Sequence, residues 1–156
     1  VILAFREIDF LDWSINMSAI IVASTRQDEA IATEINQFIA HYPPLVHDRR
    51  TVQVQVHAGE VSVSGNVLSP STAEYLLHHV QEMSGVKSVE TEHLVDDQHL
   101  RLNIARMLPP GVMIAMLRQG QVVLTGELPP QTDLTGLLAA ISALPGVRQV
   151  VNGFGG

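Results

Sequence analysis

A block of this chain returns 61 residues later without a gap. Gly59-Glu60-Val61-Ser62-Val63-Ser64-Gly65-Asn66-Val67 comes back as Gly120-Gln121-Val122-Val123-Leu124-Thr125-Gly126-Glu127-Leu128, and Gly85-Val86-Lys87-Ser88-Val89 as Gly146-Val147-Arg148-Gln149-Val150. A fixed period of this size means one folded unit used twice. Units of about 60 residues bury only modest cores, so the two are expected to pack on each other. The elements that recur are glycine turns and apolar spacing. No nucleophile, base or metal-ligand set recurs with them.

The pattern within each unit is explicit. In the first, Ile31, Ile35, Phe38 and Ile39 at helical spacing predict a helix over 28–41, stopped by Pro43-Pro44. Val52, Val54 and Val56 alternate with Thr51, Gln53 and Gln55, which predicts a half-buried strand. His57-Ala58-Gly59 turns the chain into a return strand carrying Val61, Val63 and Val67. A second helix over 71–83 follows, with Ala73, Leu76, Leu77, Val80 and Met83 on one face and Gly85 as its stop, then a third strand over 86–95. The second unit reads the same way, with helices over 97–108 and 131–144 and strands over 112–118, 121–128 and 147–152. Leu134, Leu137, Leu138, Ile141 and Leu144 occupy the five core positions of its second helix. The Pro-Pro pairs are 66 residues apart rather than 61, which predicts one loop shorter by five.

The expected class is therefore α+β: two tandem α-β-β-α-β units, each a three-stranded mixed sheet with two helices on one face. The expected organisation is a strand-rich segment over 1–26, a first domain over 27–96 and a second over 97–156. The strands in 1–26 are read from the apolar runs Val1–Phe5 and Ser18–Ala23, with a turn near Ser14–Asn16. The chain begins at Val1 rather than Met, which leaves open a preceding segment.

The glycine blocks, at this spacing and present twice, resemble the BON domain. The resemblance covers residues 28–154. It implies a non-catalytic module, tied in several members to phospholipid binding and envelope integrity, with a periplasmic or envelope location. It supplies no active site, because the family's glycines, here Gly59, Gly65, Gly85, Gly120, Gly126 and Gly146, are structural turns. The N-terminal segment, with Trp13 and Ser24–Asp28, resembles the end of a PRC-barrel.

Composition narrows the function. Net charge is −7, which speaks against nucleic acid as a partner. Residues 1–96 hold five Lys/Arg against thirteen Asp/Glu, residues 97–156 four against three, so contact with an anionic surface should favour the second half. With no cysteine, thiolate chemistry and disulfides are excluded. No run of 18 uncharged apolar residues predicts a transmembrane segment. No Walker A, dinucleotide or nucleophile-elbow motif is present, so no enzyme and no cofactor are expected. Glu74, His78 and Glu82 have metal-compatible spacing but read as a solvated helix face, so no metal is assigned.

Two surfaces stand out. In the second unit's first helix, Arg101 and Arg106 accompany Leu100, Leu102, Ile104, Met107 and Leu108, and Arg118 follows on the next strand. An apolar helix with arginines suits a membrane surface, so these three are the expected lipid contacts. On the second helix, the outer positions held by Glu74, Tyr75, His78, His79 and Glu82 become Thr135, Gly136, Ala139, Ala140 and Ala143. Small residues there permit close approach, which makes Gly136, Ala139, Ala140 and Ala143 the expected self-association face. The leading reading is a phospholipid- or envelope-binding module. The alternative is a structural protein that self-assembles through the N-terminal strands and that helix face.

Overall fold

The structure is a computed structural model that describes the backbone of residues 10–155 and the side chains of residues 24–155. Its elements in order are α1 (Phe10–His41), β1 (Val52–His57), β2 (Glu60–Val67), α2 (Pro70–Gln81), β3 (Ser88–Glu90), β4 (Leu94–Asp96), α3 (Asp97–Ala105), β5 (Val112–Arg118), β6 (Gln121–Gly126), α4 (Leu134–Ser142) and β7 (Gln149–Asn152), with a 3-10 turn at Pro43–Leu45. The order is the α-β-β-α-β that the repeat predicts, used twice, with the first unit's last strand in two pieces, β3 and β4.

The N-terminal segment differs from expectation. The run Val1–Phe5 lies outside the described residues, but from Phe10 the chain is helical, so neither the strand through Ser18–Ala23 nor the turn at Ser14–Asn16 forms. The PRC-barrel resemblance of this stretch finds no strand to rest on among the described residues. The physical reason is legible afterwards: no glycine or proline occurs before Pro43, so the first domain's helix meets no breaker and propagates backwards. The result is a single helix of 32 residues.

In the first sheet β2 is central. β1 pairs with it antiparallel, Val54 opposite Val63. On its other edge β3 pairs parallel with Glu60–Ser62 and β4 parallel with Gly65–Val67. The third strand expected over 86–95 is thus broken in two by a turn at Glu92–His93, which makes this sheet four-stranded. The second sheet has three strands in the order β5-β6-β7, again antiparallel then parallel.

Each sheet buries one face against its helices. The first core holds Ile31, Ile35, Ile39, Leu45, Val52, Val61, Val63, Val67, Leu76, Val80 and Met83; the second holds Leu100, Ile104, Leu117, Val122, Leu124 and Ile141. The second core is therefore the smaller, and it borrows a side chain. Val95, on a strand hydrogen-bonded into the first sheet, packs against the second core.

The length change between the repeats is larger than one five-residue loop. Asp28 and Asp97 begin the equivalent core stretches, with Ile31 and Ile35 matching Leu100 and Ile104. From that aspartate to the first strand is 24 residues in the first unit, Asp28 to Val52, and 15 in the second, Asp97 to Val112. One residue is then regained inside β5, where the register shifts between Ile114 and Met116 and Ala115 forms a bulge. Periodicity measured on Pro-Pro pairs missed both changes because the pairs end helices of different length.

Candidate functional site

The hairpin turn of each unit is held by an aspartate. Asp28 accepts the backbone N–H groups of Ala58 at 2.7 Å and Gly59 at 2.9 Å; Asp97 accepts those of Gln119 at 2.5 Å and Gly120 at 3.0 Å. The turns need this support because Ala58 and Gln119 both sit at φ 51°, where an L-residue is strained, next to glycines at φ 81° and 74°. Asp97 is 5% exposed. Burial pushes its pKa above the usual 3.8, the N–H groups of Gln119 and Gly120 pull it back, and the charges of Asp48 and Asp96 push it up again.

The Gln119–Gly120 turn is also where the two repeats meet. The Gln119 side-chain amide donates to the His47 carbonyl and, at 3.2 Å, to Asp48 Oδ1. Asn66 Nδ2 donates to the Gly146 carbonyl at 2.7 Å. Asp48 is fully buried; its Oδ2 accepts from Leu68 N at 3.3 Å and its carbonyl accepts from Thr51. Gly146 lies so close to Val95 that a Cβ there would meet that side chain at 2.6 Å. The segment carrying His47 and Asp48 belongs to the nine residues by which the first unit is longer, so the extra length builds the junction.

The expected lipid-contact arginines are split by this geometry. Arg101 lines an open groove of about 340 Å³ between α3 and β5, with Ala105, Leu108, Val112, Met113 and Ile114. Arg106 is exposed at the C-terminal end of α3. Arg118 stands at the other end of β5 from Val112, roughly 20 Å along the strand. There it lines a second groove, of about 320 Å³, with Val46, His47, Arg49, Arg50 and Gln119. Sequence reasoning passed over Arg49 and Arg50 because they lie in the acidic half of the chain.

The open faces of the two sheets differ in kind. Equivalent outward positions are Gln53 and Met113, Gln55 and Met116, Ser62 and Val123, and Glu90 and Val151. The first face is polar. On the second, Met113 is 61% exposed, Met116 44% and Val151 40%, and Leu102 on the neighbouring helix is 56% exposed. Alternation within a strand could have shown this, had β5 not been interrupted by its bulge.

On α4, Gly136, Ala139, Ala140 and Ala143 are all exposed, so the other repeat does not cover them. In the first unit the corresponding positions carry a ring stack. Tyr75 stacks on Tyr42 at 4.5 Å and His79 on Phe38 at 3.8 Å, which ties α2 to the end of α1. His78, beside them, pairs instead with Glu82 at 3.5 Å.

The six repeat glycines all have positive φ, from 74° at Gly120 to 115° at Gly65. At Gly65 a Cβ would run into the Thr51 carbonyl and at Gly126 into that of Gly111, so the strands there approach too closely for any side chain.

The BON domain matches residues 27–97 and again residues 96–154. The chain belongs to the BON domain family. No curated protein matches it. Among solved structures, the tandem BON chain is similar to the C-terminal domain of CdsD, a structural protein of the Type III secretion system of Chlamydia trachomatis, with a TM-score of 0.67 and 18% identity over 81% of this chain. A second structure of CdsD gives a TM-score of 0.62 and 16% identity, again over 81% of this chain. The chain spans 65% and 62% of those two chains. At such identity the likeness is one of fold.

Proposed function

We propose that this tandem BON protein is a non-enzymatic binding module whose second domain docks on an anionic phospholipid surface. The observation that carries the reading is the groove between α3 and β5, where Arg101 borders an apolar lining that includes the exposed Met113, with Leu102 exposed on the same helix as Arg101. A guanidinium next to exposed apolar side chains matches a phosphate lying above acyl chains. The equivalent sheet face of the first domain is polar, carrying Gln53, Gln55, Ser62 and Glu90 where the second carries Met113, Met116, Val123 and Val151. The test is flotation with phosphatidylglycerol vesicles, comparing wild type with Arg101→Glu/Arg106→Glu and with Leu102→Gln/Met113→Gln. Both variants are expected to lose binding. Unchanged flotation in both would overturn the assignment.

A second reading is self-assembly through α4. It is favoured by the exposure of Gly136, Ala139, Ala140 and Ala143 on a helix whose outer face carries no charge there. The shared fold with CdsD, a structural protein of a secretion system, fits such a role. Ala139→Glu should reduce the molar mass measured by light scattering to that of a 17.0 kDa monomer. A wild-type chain that is already monomeric at every concentration would remove this reading.

A further inference from the structure

We propose that the groove at the junction of the two repeats is a binding site for a compact phosphorylated anion, held by Arg49 and Arg50 from the first domain and Arg118 from the second. It is a different surface from the α3–β5 groove and stands or falls separately from it.

Three features converge. First, three of the nine cationic side chains border one groove of about 320 Å³, with His47 as a fourth nitrogen-bearing group. That size lies at the small end of ligand sites and exceeds a single inorganic phosphate. Second, the guanidiniums are uncommitted: among the described residues the ion pairs are His78–Glu82 and His99–Asp96, and no side-chain hydrogen bond engages Arg49, Arg50 or Arg118. Like charges gathered without counter-ions repel, and an anion with two or more negative charges relieves that repulsion. Guanidinium forks match phosphate oxygens in pairs. Third, the groove is built. The two carboxylates behind it, Asp48 and Asp97, are engaged inward, Asp48 with Leu68 N and Gln119 Nε2 and Asp97 with the turn N–H groups, so neither neutralises the arginines by direct pairing. The same contacts fix the Gln119 turn that positions Arg118 opposite Arg49 and Arg50. The loop carrying those two arginines has no counterpart in the second repeat, so the site exists once, and only when both repeats are present.

The phosphate could be free in solution or carried on a lipid headgroup, and the experiment separates the two. Full-length protein is titrated with pyrophosphate by calorimetry, and in parallel the Leu102→Gln/Met113→Gln variant, chosen to remove vesicle docking through the α3–β5 groove, is floated with phosphatidylcholine vesicles with and without phosphatidic acid, alone and combined with each change below. The variants are Arg118→Glu, Arg49→Glu/Arg50→Glu and, as a charge-matched control at the far end of the first unit, Lys87→Glu. All replaced side chains are exposed, so circular dichroism should be unchanged. The expected result is binding to pyrophosphate that falls about 10-fold or more in both arginine variants and not in Lys87→Glu. Binding only to phosphatidic acid vesicles, lost in the same two variants, also supports the site and assigns the phosphate to a headgroup. Binding to neither probe, or binding that survives the arginine variant of either domain, overturns the proposal. The Leu102→Gln/Met113→Gln variant should leave pyrophosphate binding intact whatever it does to vesicle docking.

Discussion

The two aspartates that hold the hairpin turns offer an internal control, because the same contact occurs at two depths. Asp97→Ala removes the acceptor from Gln119 N and Gly120 N, and the Gly120 bond is buried. A buried donor left without a partner costs about 1–3 kcal/mol. With two donors losing their acceptor the gross cost is about 2–6 kcal/mol, and relief of the buried carboxylate returns part of it, so the net loss is expected near the low end, at roughly 2–3 kcal/mol. Asp28→Ala removes the same pair of bonds from Ala58 N, which is exposed, and Gly59 N, which is partly buried. Water can replace that acceptor, so the cost should be about 1 kcal/mol. Urea denaturation followed by circular dichroism measures both; with a slope of about 1–3 kcal/mol per molar, Asp97→Ala should lower the midpoint by roughly 1 M or more. The pH dependence has a definite sign. The raised pKa means that the folded state favours the protonated acid, so the stability linked to Asp97 is fully present below 3.8 and is lost as pH rises through the raised value. Asp97→Asn lacks this term, and its deficit relative to wild type should therefore shrink as pH increases across that window. If Asp28→Ala is as costly as Asp97→Ala, or if the Asn deficit grows with pH, the argument from burial is wrong.

Other changes test the remaining links. Gly65→Ala and Gly126→Ala place a Cβ on a carbonyl oxygen at positive φ, and each should cost more than about 2 kcal/mol and unfold its own repeat first, as seen by hydrogen exchange. Gln119→Ala combined with Asn66→Ala removes the side-chain hydrogen bonds across the junction, and calorimetry should then resolve two transitions, the lower one from the smaller second core. Leu102→Gln/Met113→Gln should leave stability within about 0.5 kcal/mol. It should lower vesicle partitioning by roughly 30-fold, taking about 1 kcal/mol for each half-buried side chain.

The sequence carried the fold where apolar spacing was dense. Ile31, Ile35 and Ile39, then Val61 and Val63, then Leu76 and Val80, are core in the structure because their periods admit only one face. The long helix was obscured because the apolar runs at Val1–Phe5 and Ser18–Ala23 are too short for period to separate strand from helix; the absence of a breaker before Pro43 was the better signal. The junction could not be read at all. Gln119, Asn66, His47 and Asp48 are brought together across 71 to 80 residues of chain, and polar side chains in turns carry no periodicity that marks a partner. Nor does summing charge by half of the chain reveal a site that takes Arg49 and Arg50 from one half and Arg118 from the other.

The junction also limits how this protein can assemble. A repeat that packs on its neighbour through one end could in principle add further copies head to tail, with the second unit's free end docking on the first unit's free turn. The residues at those equivalent positions forbid it. Gln119 corresponds to Ala58, which has no side-chain amide to offer. Asn66, which donates to the Gly146 carbonyl, corresponds to Glu127, whose carboxylate would face the Gly85 carbonyl and repel it. The loop with His47 and Asp48 is missing from the second unit, and the Gly85 end is already covered by Gln27 and Ile31. The contact between the two repeats is therefore not one that further copies could repeat. The self-assembly proposed for the small-residue face of α4 uses a lateral surface instead, which is why Ala139→Glu, rather than a change at the hairpin turns, is the substitution that tests it.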